Sequence, residues 1–98
     1  MAIKAVSAAE YLKRKHEFLL VDVRTQDEWE EGHEEEAVHI PLDELEARMG
    51  ELPKKPLAII CHSGGRSAAA CGFLSSAGLD ACNVTGGMSA LIREKSRR

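Results

Sequence analysis

The feature that most constrains the fold of this chain is an apolar run that ends abruptly in a cysteine and a glycine-rich segment. The stretch reads Leu57-Ala58-Ile59-Ile60-Cys61-His62-Ser63-Gly64-Gly65-Arg66-Ser67, and three alanines follow it. Four consecutive apolar residues predict a buried strand, and the alanine-rich segment predicts a helix. We therefore expect a strand, a tight loop and the first turn of a helix, with the cysteine where the strand ends.

This position gives Cys61 the surroundings of an anion site. Unpaired amide N–H groups at a helix N-terminus point into such a loop, and the helix dipole adds partial positive charge. The same surroundings favour the thiolate and lower the pKa of a cysteine from about 8.5 to roughly 3.5–7.5. Because the thiolate is the nucleophilic form, the sequence predicts that Cys61 is a nucleophile.

Composition limits the classes of protein that the chain can represent. It has 98 residues, 44% hydrophobic and 30% charged, and two cores would each be too small, so we expect one domain over residues 1–98. The net charge of −3 argues against a nucleic-acid partner. No apolar run approaches the ~20 residues of a membrane span, and no secretory signal is recognisable. We therefore expect a cytoplasmic protein without a membrane partner.

The three cysteines, Cys61, Cys71 and Cys82, form no C-x-x-C pair. An odd number at this spacing fits neither a disulfide framework nor a zinc site, so we expect reduced thiols and no metal or organic cofactor. Cys71 falls in the helix after the loop and Cys82 in an expected strand, and both are predicted to be small core residues. Nothing in the pattern indicates an obligate dimer, and we expect a monomer.

Strand and helix patterns alternate along the chain. Ser7 and Glu10 have the spacing of a capping box, and Leu42, Leu45 and Met49 recur at helical spacing. This alternation favours an α/β domain with a mostly parallel sheet. The predicted strands are residues 3–6, 18–21, 37–40, 57–60 and 81–84. The predicted helices are residues 8–15, 26–31 and 42–49, a helix from the loop to Gly78, and a closing helix around 88–92.

Several short segments, in their order along the chain, resemble one known family. They are Asp22-Val23-Arg24 followed by Glu28, Gly32-His33, Ile40-Pro41-Leu42, the segment Cys61 to Ser67, and Gly86-Gly87-Met88 with Ala90. Over about residues 5–92 the chain resembles the rhodanese-like sulfurtransferases. The resemblance implies a small α/β domain with a five-stranded, mostly parallel sheet flanked by helices.

The resemblance also implies a reaction and a set of site residues. Cys61 would take sulfane sulfur from thiosulfate or a protein persulfide and hold it as a persulfide until a thiol or cyanide removes it. This is covalent catalysis in two steps. The expected catalytic residue is Cys61; the expected substrate-binding residues are His62, Ser63, Gly64, Gly65, Arg66 and Ser67; and Asp22 and Arg24 are expected to support the site from behind.

The chemistry of the loop agrees with this implication. Gly64 and Gly65 permit the positive φ angles of a nest of inward-pointing amides. We expect Arg66 to offer its fork of donors to thiosulfate oxygens or to fix the loop. We expect the hydroxyls of Ser63 and Ser67 to donate to the persulfide or to cap the helix.

The roles of the remaining site residues stay open in the sequence. His62 either tunes the thiolate, faces the acceptor or is simply exposed. Asp22 and Arg24 pair with each other or with the loop arginine.

Two other functions also stay open. Four residues separate Cys61 from Arg66, whereas cysteine phosphatases place five between cysteine and arginine to surround a tetrahedral phosphate. A phosphatase or arsenate reductase on the same scaffold is therefore disfavoured. A non-catalytic module that binds a partner and keeps the loop only for its shape is the second alternative.

The segment 33–39, His-Glu-Glu-Glu-Ala-Val-His, departs from the family, which has an apolar residue at 34 and a glycine at 36. Its histidines lack the spacing of H-E-x-x-H, so we expect an acidic, solvated turn rather than a metal site. Adjacent carboxylates should repel one another. We therefore expect Glu34, Glu35 and Glu36 to be displaced outward and mobile.

Overall fold

All five predicted strands form in the computed structural model, which describes residues 3–97. They are β1 (Lys4–Val6), β2 (Leu19–Asp22), β3 (Val38–His39), β4 (Leu57–Ile60) and β5 (Ala81–Val84). They make one parallel sheet in the order β1-β5-β4-β2-β3, with β4 at its centre. Every residue of β4 is buried, which explains its uninterrupted apolar sequence. The predicted α/β class with a five-stranded parallel sheet is confirmed.

Five α-helices within residues 3–97 flank the sheet. They are α1 (Ala8–Arg14), α2 (Gln26–Glu31), α3 (Leu45–Arg48), α4 (Gly65–Ser76) and α5 (Gly87–Ser96). Alternate β4 side chains enter different clusters, one with residues of α3 and α4 and the other with residues of α1 and α5. None of the helices within residues 3–97 has the length and apolar character that crossing a bilayer requires.

The helix predicted over residues 42–49 forms only in part. A 3₁₀ turn at Leu42–Glu44 precedes α3, and a second at Met49–Glu51 follows it. Leu45 is buried, and Leu52 and Met49 pack in the same core cluster, whereas Leu42 is 37% exposed. The apolar stripe therefore meets the core from Leu45 to Leu52, although only Leu45–Arg48 is α-helical.

Two of the three cysteines lie away from the loop. Cys71 is fully buried in α4, as predicted. Cys82 is partly buried in β5 and packs against the cluster that contains α1 and α5. Burial raises the pKa of the Cys71 thiol to about 12 and also raises that of Cys82, so neither thiol ionises readily.

The prediction that residues 34–36 are displaced outward is wrong for Glu34, whereas Glu35 and Glu36 are exposed. Glu34 is only 8% exposed, and its carboxylate accepts a hydrogen bond from Lys95 Nζ at 2.8 Å. The Glu36 carboxylate accepts one from the Tyr11 hydroxyl at 2.9 Å. These donors lie on α5 and α1, 61 and 25 residues away in the sequence. They draw two of the three carboxylates against the protein and offset the repulsion that the local sequence predicts.

Replacing Leu91 by Ala should destabilise the fold strongly, because Leu91 is fully buried in α5 within the same cluster as Tyr11. Such truncations cost about 2–5 kcal/mol. The adjacent Ile92 is 59% exposed, and Ile92→Ala should change the free energy of unfolding by less than about 0.5 kcal/mol. Urea unfolding of both variants measures the difference. Equal losses would mean that α5 is not packed as described.

Candidate active site

Cys61 directly follows the last residue of β4, so it lies at the carboxyl edge of the sheet, at the end of the central strand. The residue is only 1% exposed. Its Sγ accepts hydrogen bonds from the amides of Gly64 at 3.1 Å and Ser67 at 3.3 Å, and the Ser67 hydroxyl oxygen also lies 3.3 Å away. A buried sulfur surrounded by donors is an environment built for negative charge.

These donors determine the acidity of the thiol. Burial alone raises the pKa of Cys61, because desolvation penalises the thiolate. The Ser67 hydroxyl and the amides of Ser67, Gly64 and Ser63 oppose this effect and together outweigh it. The pKa of Cys61 is therefore lowered from its ordinary value, in contrast to the raised pKa values of Cys71 and Cys82.

Gly64 makes the turn from strand to helix possible. It is the N-cap residue of α4 with φ +108°, a conformation that side-chain-bearing residues rarely adopt. Gly65 is instead the first helical residue and has no positive φ, so that part of the prediction is wrong. Neither Ser63 nor Ser67 caps α4 with its hydroxyl, because the cap position belongs to Gly64. The amides that the glycine turns inward bind the sulfur instead.

Asn83 is a neighbour of the loop that sequence reasoning missed. Its Oδ1 accepts from the Ser67 hydroxyl at 2.5 Å, and its Nδ2 donates to Gly64 O at 3.4 Å. Ser67 has one hydroxyl hydrogen, for which Asn83 Oδ1, Gly64 O and Cys61 Sγ compete. Ionisation of the sulfur draws that hydrogen toward Sγ. The signal in the sequence was a strongly polar side chain within the otherwise apolar segment of β5.

Arg66 points to a carboxylate of the protein. Its Nη1 and Nη2 donate to the two Glu28 oxygens at 2.6 Å and 2.8 Å, across 38 residues of sequence. The fork-to-carboxylate geometry satisfies both partners. Of the two roles that the sequence left open for Arg66, its contacts correspond to fixing the loop.

Glu28 also belongs to a capping box at the start of α2. Its side chain accepts from the Thr25 amide at 3.0 Å, and the Thr25 hydroxyl accepts from the Glu28 amide at 3.3 Å. The Arg66 hydrogen bonds, opposed by burial and aided by Thr25, lower the pKa of Glu28 to about 2. One carboxylate therefore joins α2 to the beginning of α4. The Thr-x-x-Glu spacing could have revealed the cap, but not the arginine.

Asp22 and Arg24 pair with each other rather than with Arg66. Arg24 Nε and Nη2 lie 2.8–3.0 Å from the Asp22 carboxylate oxygens, and both side chains are at least nine-tenths buried. Arg24 Nη2 also donates to Gly32 O at 2.8 Å. The pair ties the end of β2 to Gly32, which follows α2, and Arg24 lines the same surface depression as His62 of the loop.

The N-terminus of α5 closes the other side of the loop. The Met88 amide donates to Cys61 O at 2.7 Å, and the Ser89 amide donates to His62 O at 3.1 Å. Gly87 allows this approach, since a Cβ there would lie 2.4 Å from Cys61 O. The imidazole of His62 is exposed, with Nε2 3.5 Å from Ser89 Oγ.

Two histidines of the acidic segment pack on Trp29. The rings of His33 and His39 stack on the indole with centroid separations of 3.5 Å and 4.6 Å. Within residues 3–97, no group of three or more His, Cys, Asp or Glu side chains is arranged to hold a metal ion.

Comparison with known families identifies the class of protein to which this fold and loop belong. The family model described as a rhodanese-like domain matches residues 7–94. The chain belongs to the rhodanese-like domain family.

Relatives with similar sequences carry related names. "Putative sulfurtransferase YtwF" of Bacillus subtilis is 39% identical over 94 residues, which cover 92% of this chain and 91% of the relative. A sulfurtransferase of Allochromatium vinosum is 36% identical, covering 93% and 87% of the two chains. The crystal structure of a rhodanese-related protein from Thermoplasma volcanium is similar with a TM-score of 0.90 and 35% identity, over 93% of this chain and 92% of the other.

Replacing Ser67 by Ala should raise the pKa of Cys61, because the variant loses the hydroxyl that stabilises the thiolate. The rate of Cys61 alkylation by iodoacetamide, followed against pH by peptide mass spectrometry, should therefore reach its midpoint at higher pH. Ser63→Ala is the matched control, because Ser63 lowers the pKa through its amide, which the variant keeps. If Ser67→Ala leaves the midpoint of the alkylation curve unchanged, the lowered pKa of Cys61 would be due to the amides alone.

Replacing Glu28 by Gln should flatten the pH dependence of stability. The folded-state pKa of Glu28 is about 2, below its ordinary value near 4.5, so the pair stabilises the fold above pH 4.5. This contribution is lost as the pH falls from about 4.5 to 2, and the difference in free energy of unfolding between wild type and variant should shrink there. Glu31→Gln is the control, since Glu31 makes no ion pair within residues 3–97. A constant difference across this range would contradict the assignment.

Proposed function

We propose that the chain is a sulfurtransferase that carries sulfur as a persulfide on Cys61. The Cys61 thiolate attacks the sulfane sulfur of a donor, the S–S bond of the donor breaks, and sulfite or a thiolate leaves. A thiol or cyanide acceptor then attacks the outer sulfur of the Cys61 persulfide and restores the thiolate. This two-step covalent route follows from a nucleophile that accepts and then releases the same atom.

The observation that carries the proposal is the ring of donors around Cys61 Sγ. Two amides and one hydroxyl lie 3.1–3.3 Å from the sulfur, and they hold the thiol pKa below its ordinary value. Membership of the rhodanese-like family and two relatives named as sulfurtransferases support the same chemistry.

The geometry of the loop favours sulfur over phosphate as the transferred group. The amides of Gly64 and Ser67 are directed at Sγ itself, at hydrogen-bonding distance. A phosphatase needs such amides to surround the oxygens of a phosphate beyond the sulfur, and its loop is one residue longer. Arg66 also pairs with Glu28 through Nη1 and Nη2, so phosphate oxygens would compete with that carboxylate for the guanidinium.

The residues around Cys61 support its chemistry in different ways. Ser67 and the inward amides of the loop stabilise the thiolate and then the persulfide. Arg66 is a positioning residue that acts through Glu28. The buried pair Asp22–Arg24 supports the loop, and His62, which is exposed beside it, faces the acceptor.

Incubation of the full chain with a sulfur donor should add one sulfur atom to Cys61. The intact mass should rise by one sulfur after exposure to thiosulfate or a persulfide, and cyanide or a reductant should remove the gain. Cys61→Ser should show no gain, whereas Cys71→Ser and Cys82→Ser should behave as wild type, because burial suppresses ionisation of both thiols. If no donor loads Cys61 while an aryl phosphate is hydrolysed, the phosphatase alternative replaces this proposal. If Cys61 reacts with neither, the loop serves as a binding module.

A further inference from the structure

Asn83 places an amide on a face of the sheet that packs against the apolar side of α4. It lies in β5 two residues after Ala81, so the two side chains point to the same face. Ala81 packs there with Ala70, Cys71 and Leu74 of α4. A partly buried amide in such a position costs desolvation energy unless its polar atoms are paired. Its hydrogen-bond partners therefore indicate its role.

Both ends of the Asn83 amide are hydrogen-bonded to the loop that holds the nucleophile. Oδ1 accepts from the Ser67 hydroxyl at 2.5 Å, and Nδ2 donates to Gly64 O at 3.4 Å. A carbonyl can only accept, so Gly64 O orients the amide with Nδ2 toward itself and thereby turns Oδ1 toward Ser67. Gly64 O also accepts from the Ala68 amide at 3.1 Å, so it keeps a donor when Asn83 is replaced.

The Ser67 hydroxyl lies between this amide oxygen and the sulfur, and Ser67 is fully buried. Its Oγ is 2.5 Å from Asn83 Oδ1, 3.2 Å from Gly64 O and 3.3 Å from Cys61 Sγ. The hydroxyl has one hydrogen, so a strong hydrogen bond to one acceptor weakens those to the others. An uncharged sulfur is a weak acceptor and a thiolate is a strong one. The charge on Sγ therefore decides which acceptor binds the hydrogen.

Resting on the proposed sulfurtransferase function, we propose that Asn83 is a positioning residue that binds the Ser67 hydroxyl hydrogen whenever Cys61 Sγ is uncharged and releases it when the thiolate forms. The hydroxyl only rotates about its Cβ–Oγ bond, and its O–H bond stays intact. Ser67 thus stabilises the thiolate, and Asn83 stabilises the uncharged states against it. This opposition keeps the thiolate reactive, because nucleophilicity falls as the pKa of a thiol falls.

The charge on Sγ changes twice in each cycle of sulfur transfer. In the first step the thiolate forms a bond to the sulfane sulfur, the bond between that sulfur and the donor breaks, and the donor leaves with the electron pair. Sγ then has two bonds and no negative charge, so the Ser67 hydrogen turns to Asn83. In the second step the acceptor binds the outer sulfur, and the S–S bond breaks with its electron pair on Sγ. The Ser67 hydrogen then returns to the thiolate.

The charged side chains beside the loop are engaged with one another. Arg66 of α4 pairs with Glu28 of α2, and Arg24 pairs with Asp22 at the end of β2. His62 is exposed on the loop itself. Within residues 3–97, none of these five side chains is hydrogen-bonded to Asn83 or Ser67. Substitution of Asn83 therefore leaves their contacts in place, and a change in thiol acidity can be traced to the Ser67 hydroxyl.

Two substitutions of Asn83 should shift the acidity of Cys61 in opposite directions. Asn83→Leu keeps the approximate size of the side chain but removes the acceptor that favours the uncharged thiol. The midpoint of Cys61 alkylation by iodoacetamide against pH should therefore fall by about 0.5–1 pH unit. Asn83→Asp places a carboxylate beside Ser67, which binds the hydroxyl hydrogen more strongly and repels the thiolate, so the midpoint should rise. A general loosening of the loop would move both midpoints in the same direction.

Combination with Ser67→Ala shows whether Asn83 acts through the hydroxyl. In the Ser67→Ala background, Asn83→Leu should no longer lower the midpoint, because the hydrogen that Asn83 binds is absent. Asn83→Asp keeps the shape of the side chain and gives a second test if Asn83→Leu does not fold, since its rise should shrink in the same background. Cys82→Ala is the control, because its side chain packs on the opposite face of β5, and it should leave the midpoint unchanged.

Removal of sulfur from loaded Cys61 extends the test to the transfer itself. Each variant is loaded with thiosulfate or a small-molecule persulfide, and the loss of one sulfur to cyanide is followed by intact mass spectrometry. Asn83→Leu should release its sulfur roughly twofold faster or more, because a leaving thiol of lower pKa departs faster. Asn83→Asp should release it more slowly, and both differences should vanish without the Ser67 hydroxyl.

The outcomes separate this inference from the function on which it rests. A midpoint that is unchanged or raised in Asn83→Leu, or that falls equally with and without the Ser67 hydroxyl, would overturn the inference while leaving the sulfurtransferase function intact. If the wild-type chain takes up no sulfur from either donor, the sulfurtransferase function is overturned, and the role of Asn83 in transfer is overturned with it.

Discussion

The constraint on which the structure depends is the placement of a thiol that ionises readily in a buried position. Cys61 is nearly inaccessible, and desolvation alone would raise its pKa. The loop compensates with donors from its own backbone and from Ser67, which requires the left-handed turn at Gly64 and a helix that begins directly after it. The central, fully buried β4 fixes the starting point of this loop more firmly than an edge strand could.

The charged side chains near the loop form ion pairs within the protein. Glu28 is shared between the cap of α2 and the arginine of the loop, and Asp22 and Arg24 form a buried pair at the end of β2. Because these arginines pair with carboxylates, the groups that stabilise the thiolate directly are the Ser67 hydroxyl and the backbone amides of the loop. Backbone N–H groups are already fixed in position, so they need not reorient when the sulfur becomes charged.

The sequence predicts local features of the fold better than contacts between distant segments. The five strands, the position of Cys61 at the end of β4 and the glycine turn follow from short patterns, and the structure contains each of them. The pairs Glu28–Arg66 and Glu34–Lys95 join segments far apart in the chain, and no periodicity indicates them. For Glu34 the neighbouring carboxylates predict an exposed side chain, whereas the residue is buried and bonded to Lys95. The repulsion can be read from adjacent residues, but the contact with a lysine 61 residues away cannot.

The contact between α5 and the loop has a consequence for the orientation of peptide groups. Within a trans peptide, the C=O and the following N–H point in opposite directions. The Ser89 amide holds the His62 carbonyl toward α5, so the Ser63 amide is turned away from α5 and toward the sulfur, where it lowers the pKa of Cys61. A helix whose side chains need not touch the sulfur thus contributes to the acidity of the thiol, in addition to the larger effects of Ser67 and Gly64. Substitutions at residues 87–89 that displace α5 would therefore alter the pKa of Cys61 although the loop sequence stays the same.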